Sequence, residues 1–396
     1  MEHAELDALL TPEAMTLLDG LDPVETTNDV TRVVSRLRAA GHGPELVSAV
    51  VGQSRLRHRA TAKFGEFASR MLFTRAGLEQ ATRMSVSAHH AGRFARSRIG
   101  SVADLGCGIG GDSLAFASLG LDVLAVDADE VTAALAAYNL RPFGDAVTVR
   151  HGTAEQTDLE GIDAVWLDPA RRTKGHSETR RVSADDYSPN LDWVFALARK
   201  KPAGIKLGPA HDRDALPEDA EAQWISVDGS TVELVVWTGA LAREGVRRAA
   251  LVIRGERAHE ITAPADTEDE PVRELGAYLH EPEGSVIRAR LIGDVARSLE
   301  AGPVAEQIAY LTGDADLRSP FATTFRVREV LPADPKPLAK ALKARGIGTL
   351  EIKKRGVDID PAEFRKKLKL AGRGKATLFV TRIHDKRIAI LADRVE

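Results

Sequence analysis

The sequence predicts an α/β protein: a doubly wound, mostly parallel sheet that ends in an antiparallel hairpin, with an α-helical region before it and a small α+β region after it. Three observations carry this. From Ser101 to Leu207, short apolar or β-branched runs alternate with helical stretches, the pattern of parallel strands joined by crossover helices. The first run ends in a glycine-rich turn, Gly106-Cys107-Gly108-Ile109-Gly110-Gly111, as doubly wound sheets do where the backbone closely approaches a nucleotide at a helix N-terminus. Two apolar runs between Gln223 and Trp237 flank Asp228-Gly229, a hairpin turn signal.

In chain order, residues 1–99 read as an α-helical N-terminal domain. Apolar residues recur at helical spacing from Asp29 to Arg38. From Arg57 to Arg98 basic residues are dense, with Phe64, Phe67, Met71, Phe73, Leu78 and Phe94 interleaved, and no strand alternation is present. Residues 100–240 hold the sheet. Strands are expected at Ser101–Leu105, Leu121–Val126, Ala146–Arg150, Ala164–Leu167 and Ala203–Leu207, and helices at Gly111–Ser118 and Glu130–Asn139. A terminal antiparallel hairpin belongs to the methyltransferase variant of this fold rather than to the NAD-binding one. Residues 241–325 read as an extension packed on the catalytic domain, with strands at Ala249–Ile253 and His259–Thr262, a loop over 267–271 and a helix over Val286–Leu299. Residues 326–396 form the α+β tail. It has helices at Leu338–Arg345 and Pro361–Leu370 and strands at Thr349–Lys353, Ala376–Ile383 and Arg387–Leu391.

Length and charge bound the partners. A chain of 396 residues, 43% hydrophobic and 28% charged, exceeds one small core and predicts two or three domains. No uncharged apolar run reaches the roughly 18 residues a membrane span needs. The opening Met1-Glu2-His3-Ala4-Glu5 is followed by no apolar run, so no secretory leader is expected. One cysteine rules out an internal disulfide and a cysteine-based zinc cluster. A cytoplasmic protein without a metal is the expectation. The net charge of -4 hides an asymmetry: Arg326 to Glu396 carries 19 Lys+Arg against 9 Asp+Glu, while the first 325 residues carry 35 against 49. A basic tail on an acidic body predicts a polyanionic partner, and nucleic acid is the commonest.

The glycines at 106, 108 and 110 leave both a dinucleotide and S-adenosylmethionine open as ligands. Asp104 separates them. It stands at the carboxyl end of the first strand, two residues before Gly106, where a carboxylate repels a pyrophosphate and attracts a sulfonium and an ammonium. That attraction is worth up to several kcal/mol in a partly dry cleft. Asp127 closes the second strand, 19 residues beyond Gly108. Acids meet ribose hydroxyls at a spacing of about 20. Asp129 is the alternative. S-adenosylmethionine is therefore the predicted cofactor, held by Asp104, Gly106, Gly108, Gly110 and Asp127.

The fourth strand ends in Asp168-Pro169-Ala170-Arg171. Ligands of doubly wound sheets bind beyond the carboxyl ends of the strands, so Asp168 faces both the cofactor and the acceptor. Pro169 fixes the backbone so that the carboxylate accepts hydrogen bonds from an amino group and aims its lone pair at the methyl group. Positioning of this kind supplies most of the rate gain. The run from Val102 to Ala117 resembles the first motif of trimethylguanosine synthase-type RNA methyltransferases, and Asp168-Pro169-Ala170-Arg171 sits where those enzymes and their relatives carry Asp-Pro-Pro-Arg or a similar element. Lys63-Phe64 and the stretch from Phe73 to Thr82 resemble a family of bacterial class I methyltransferases with a C-terminal THUMP-like domain, which the tail from Val327 to Val395 matches in size, basicity and element order. The resemblance implies a Rossmann-like class I methyltransferase fold and an RNA substrate bound through the basic C-terminal domain, with Asp168, Pro169 and Arg171 catalytic. The chain departs from the pattern twice. Ala170 replaces the second proline, with no aromatic after it. Thr153 stands where relatives carry an acid for the adenine amino group, which leaves the Ala154 amide and Glu155 as candidates for that contact.

The lone Cys107 lies inside the cofactor turn, so methylation at a pyrimidine C5, which needs a cysteine nucleophile, is disfavoured and a base nitrogen is expected. Other features read as structural. His89 and His90 project about 100° apart on a helix and read as surface rather than a metal site. Ser85 and Ser87 lack a triad partner. Lys206 either lines the substrate cleft or ends its strand, the second slightly favoured, and Phe64, Phe73 and Leu78 read as core rather than as a lid over the cofactor. Lys353-Lys354-Arg355 and the basic residues from Arg365 to Lys369 suit either phosphates or solvent. A methyltransferase for a small molecule or protein, and a non-catalytic RNA-binding protein, are the alternatives.

Overall fold

Strands of the sheet fall where the periodicity places them. The computed structural model describes residues 1, 3–171, 186–384 and 386–395, without the side chain of Arg171. The chain divides into two units, Met1–Leu207 with Val236–Ala242, and Gly208–Val235 with Arg243–Glu396.

In the first unit the strands run in the order Ala203–Leu207, Ala164–Leu167, Ser101–Leu105, Asp122–Asp127, Val147–His151, each pair parallel. From Ser101–Leu105 the chain builds outward through two strands, then returns to place Ala164–Leu167 on the other side. That reversal is the topological switch point where doubly wound sheets open a crevice. Helices Gly111–Ser118 and Glu130–Leu140 are the crossovers. The centre is aromatic: Trp166, Trp237, Phe94 and Phe116 are all at most 1% exposed. Gly204 permits this close packing, because a Cβ there would stand 2.6 Å from the Trp166 ring and 2.7 Å from that of Trp237. Gly204→Ala is expected to cost about 1–3 kcal/mol as overpacking, read as a drop in Tm with S-adenosylmethionine affinity retained.

The described residues ahead of the first strand are mostly helical, as expected. Thr26 and Asp29 form a capping box that starts the helix Thr27–Ala39, and Pro44–Phe64 is the longest helix of this region. Phe64, Phe73 and Leu78 are buried, in line with their reading as core.

In the second unit, Glu221–Val227 and Ser230–Thr238 form the hairpin; the last three residues of the latter strand belong to the first unit. Asp228 and Gly229 turn with φ of 48° and 83°, the two positive values a type I′ turn requires. Arg248–Arg254 pairs parallel to Glu221–Val227 and antiparallel to Arg257–Ala263. A seven-stranded sheet follows, in the order Gly302–Ala305, Ile308–Gly313, Tyr278–Pro282, Ala322–Pro332, Lys386–Arg394, Gly374–Ile383, Ile347–Lys354. Leu338, Leu342, Phe364 and Leu368 of helices Pro335–Ala344 and Pro361–Leu368 share a core with Leu350, Leu378 and Leu391 of its strands. The helix expected over Val286–Leu299 is two helices, Gly284–Arg288 and Ile292–Ser298. Arg290 breaks it with φ of 58°, and its carbonyl accepts hydrogen bonds from the Thr267 amide and hydroxyl at 2.9 and 3.1 Å. No helix among the described residues is long and apolar enough to cross a membrane.

Candidate active site

The glycine turn leaves the first strand at the switch point. Gly106, Gly108 and Gly110 adopt φ of 99°, 56° and 87°, which side chains resist. At Gly106 a Cβ would also stand 3.0 Å from the carbonyl oxygen of Asp168. The turn thus brings the ends of two neighbouring strands together, with the Asp168 amide donating to Leu105 O at 3.4 Å.

Asp104 lies beneath this turn, 1% exposed. Ser113 Oγ donates to its Oδ2 at 2.5 Å, while Oδ1 has no hydrogen-bond partner among the described residues. Burial first, and then the charge of Asp112, push its carboxyl up to about 8. Burial without a donor at Oδ1 disfavours the charged form, and a cationic ligand at the turn would favour it. Asp127 is fixed by two amides: Gly108 N donates to Oδ2 and Asp129 N to Oδ1, each at 2.9 Å. A carboxylate offers about four lone-pair sites, so acceptors remain for a pair of ribose hydroxyls. Burial outweighs those amides and raises the Asp127 carboxyl above its usual range. Asp129 instead caps the helix Glu130–Leu140, accepting from Thr132 N at 2.8 Å, which leaves Asp127 as the ribose candidate. Ala154 is buried and opens the turn Ala154–Gln156, so its amide has no partner within that turn; Thr153 and Glu155 are exposed beside it. These donors and acceptors fit a cationic nucleoside such as S-adenosylmethionine.

Asp168 extends beyond the fourth strand and Pro169 follows it. The backbone of Arg171 pairs with Tyr187, while the Arg171 side chain lies outside the described residues. Lys206, for which the sequence slightly favours a strand end over a place in the cleft, reaches the site: its Nζ donates to Asp168 Oδ2 at 2.5 Å and to Thr82 Oγ1 at 3.1 Å. Thr82 Oγ1 in turn donates to Asp112 Oδ2 at 2.9 Å, and His90 Nδ1 lies 2.9 Å from Asp112 Oδ1. His90 is fully buried, its ring centroid 4.4 Å from that of Trp166, which corrects its reading as helix surface. Burial opposes ionisation of Asp112, but the hydrogen bond and charge of His90, with Lys206, hold it at about 2. A polar chain thus runs from His90 through Asp112, Thr82 and Lys206 to Asp168. Sequence reasoning missed it, although a lysine inside the apolar strand Ala203-Gly-Ile-Lys-Leu207 was a signal. Cys107 is buried, and burial pushes its thiol well above the ordinary range.

The chain is similar to known proteins along most of its length. Two Mycobacterium tuberculosis proteins, from strains CDC 1551 and H37Rv, each described as an uncharacterized S-adenosylmethionine-dependent methyltransferase, are 32% identical over 358 residues, 88% of this chain and 95% of theirs. The crystal structure of a proposed methyltransferase from Porphyromonas gingivalis W83 superposes over 100% of this chain and 99% of its own, with a TM-score of 0.75 at 21% identity, and so shares the fold. Residues 322–394 match a family model described as THUMP domain-like, and residues 2–60 match a domain of unknown function.

Proposed function

We propose that this chain, which belongs to the family of S-adenosylmethionine-dependent methyltransferases, transfers its methyl group to a base nitrogen of RNA. Bound S-adenosylmethionine supplies an electrophilic methyl carbon. In this reading Asp104 faces its cationic groups, Gly106, Gly108 and Gly110 shape the turn beneath it, Asp127 takes the ribose and the Ala154 amide the adenine. The observation that carries the acceptor assignment is Asp168, a carboxylate at the carboxyl end of its strand held by Lys206 at 2.5 Å. Such a carboxylate accepts an N–H from an amino group and orients the nitrogen lone pair, with Pro169 fixing the backbone and Arg171 beside it. The buried, high-pKa Cys107 is unsuited to the thiolate attack that C5 chemistry requires. The THUMP domain-like match over 322–394 and the net positive tail support RNA as the substrate, and a cytoplasmic location is part of this reading. We further divide the chain into a helical region (1–99), a cofactor-binding domain (100–240), an extension (241–325) and an RNA-engaging tail (326–396).

Nucleoside mass spectrometry of RNA from cells with and without the protein tests the proposal. One methylated nucleoside should vanish without it. If every methylated nucleoside persists, and truncation of residues 331–396 leaves activity toward another acceptor intact, RNA is not the substrate.

Lys206 acts here as a positioning residue. A charge-assisted hydrogen bond is worth about 1.5–3 kcal/mol, so Lys206→Met should lower kcat by roughly tenfold or more. Thr82→Val, which deletes the hydroxyl without changing shape, should lower it less, and Thr82→Ser should restore it. Methyl transfer from labelled cofactor to RNA of protein-deficient cells reads this. Equal kcat in Thr82→Val and Thr82→Ser would remove Thr82 from the chain of contacts.

A further inference from the structure

We propose that an exposed arginine stripe on the helix Pro44–Phe64, continued by Arg83, holds the phosphate backbone of a single RNA strand as its base enters the site at Asp168. The proposal rests on the RNA reading above and assigns part of the binding to the first unit.

From Arg55 to Arg98 the chain holds ten Lys and Arg against two acids, Glu66 and Glu79. Much of this charge has a structural role. Arg57 is buried, donating to Met71 O at 3.0 Å and to Asp19 at 2.9 Å. Lys63 Nζ caps a short helix by donating to the carbonyls of Leu78, Glu79 and Ala81 at 2.9, 2.7 and 2.7 Å. Arg75 pairs with Glu79 at 3.2 Å. Arg55, Arg59 and Arg83 differ. All three are exposed, and they appear in no ion pair among the described residues.

These three lie on one path. Arg55 and Arg59 are four residues apart, so they share a helix face about 6 Å apart along the axis. One turn further the path reaches Ala62, whose carbonyl accepts from Arg83 Nη1 at 3.4 Å. Arg83 adjoins Thr82, which Lys206 Nζ contacts at 3.1 Å while also holding Asp168. Burial, then the neighbouring charges of Arg83 and Lys206, lowers the affinity of Lys63 for its proton, as expected where cations crowd together. The stripe therefore ends at the rim of the catalytic carboxylate.

Charge and chemistry select the occupant. Guanidinium forks match phosphate oxygens, and a regular spacing along a helix suits a repeating anion. A base nitrogen inside a duplex cannot reach a catalytic carboxylate without leaving the stack, which favours a single strand. In the tail, by contrast, several cations are neutralised locally: Arg328 by Asp393, Arg345 by Glu329, and Lys353 by Glu281 and Glu351.

The test is fluorescence anisotropy with labelled oligouridylate and the full-length protein carrying Arg55→Gln, Arg59→Gln and Arg83→Gln together. Affinity should fall by about tenfold or more, and the slope of log K against log salt should shrink by about 2, since each phosphate contact on a single strand contributes roughly 0.7. Calorimetry should give S-adenosylmethionine affinity within twofold of the parent, showing an intact first unit. The control Arg36→Gln with Arg38→Gln, exposed on another helix, should bind as the parent does. Parental affinity and slope in the triple variant would overturn the stripe and leave the RNA reading standing. Equal weakening in the control would overturn it as well, by showing that only overall charge counts. If the parent binds neither the oligonucleotide nor total cellular RNA, the RNA reading itself falls and the stripe with it.

Discussion

Asp168→Ala should cut methyl transfer by about 100-fold or more, the cost of losing a group that aligns the reacting atoms. It should weaken S-adenosylmethionine binding far less. The asymmetry follows from where the carboxylate sits. It stands past the carboxyl end of Ala164–Leu167 with its carbonyl against Gly106, so its backbone supports the turn whatever the side chain. The side chain itself accepts a hydrogen bond from Lys206. Removing it leaves the turn in place and deletes the acceptor for the amino group. Asp168→Asn keeps one acceptor oxygen but cannot form the ion pair, and should fall between the parent and Asp168→Ala. Single-turnover transfer to RNA of protein-deficient cells gives the rate, and calorimetry gives the affinity. Equal losses in both would make Asp168 a cofactor ligand only; an unchanged rate would remove it from the reaction.

The parts of this site that were legible in the sequence are those fixed by local chain geometry. Asp104, Asp127 and Asp168 lie at or just past the carboxyl ends of strands, and a short apolar run with a turn after it reveals such a position. Asp228-Gly229 was legible for the same reason, because a two-residue turn demands its own residues. The contacts of Lys206 were not legible. Its partners Asp168 and Thr82 are 38 and 124 residues away, and only the strand order brings them together. Thr82, Asp112 and His90 have no motif spacing at all, so His90 read as helix surface. In the second unit, the strands Gly302–Ala305 and Ile308–Gly313 went unread, because short strands joined by a tight turn give little periodicity. The helical pattern over Val286–Leu299 was genuine, but a tertiary bond from Thr267 captured the Arg290 carbonyl and split it.

Asp104→Asn is expected to weaken S-adenosylmethionine binding by about 10- to 100-fold, since a charge-assisted hydrogen bond contributes about 1.5–3 kcal/mol and each 1.4 kcal/mol is tenfold. The same change alters how stability depends on pH. In the folded protein without cofactor the Asp104 carboxyl is pushed up to about 8, by burial and then by Asp112; in the unfolded chain it lies near the ordinary aspartate value of 3.8. Between those values the folded state binds a proton that the unfolded state does not, so this group's contribution is full below about 4 and is lost as pH rises toward 8. Asparagine removes that titration, and the stability of the variant relative to the parent should climb from pH 4 to pH 8 in thermal melts. Cofactor binding couples to the same proton. A cation over the unpartnered Oδ1 favours the carboxylate, so parental affinity should rise from pH 6 to pH 8 with proton release, visible as a dependence of the calorimetric heat on the buffer. The asparagine variant should lose this contribution to both. Unchanged affinity in Asp104→Asn would refute the role of Asp104 in binding. Unchanged buffer dependence would locate the released proton elsewhere, with Asp127 the next carboxyl to test, since burial raises it too.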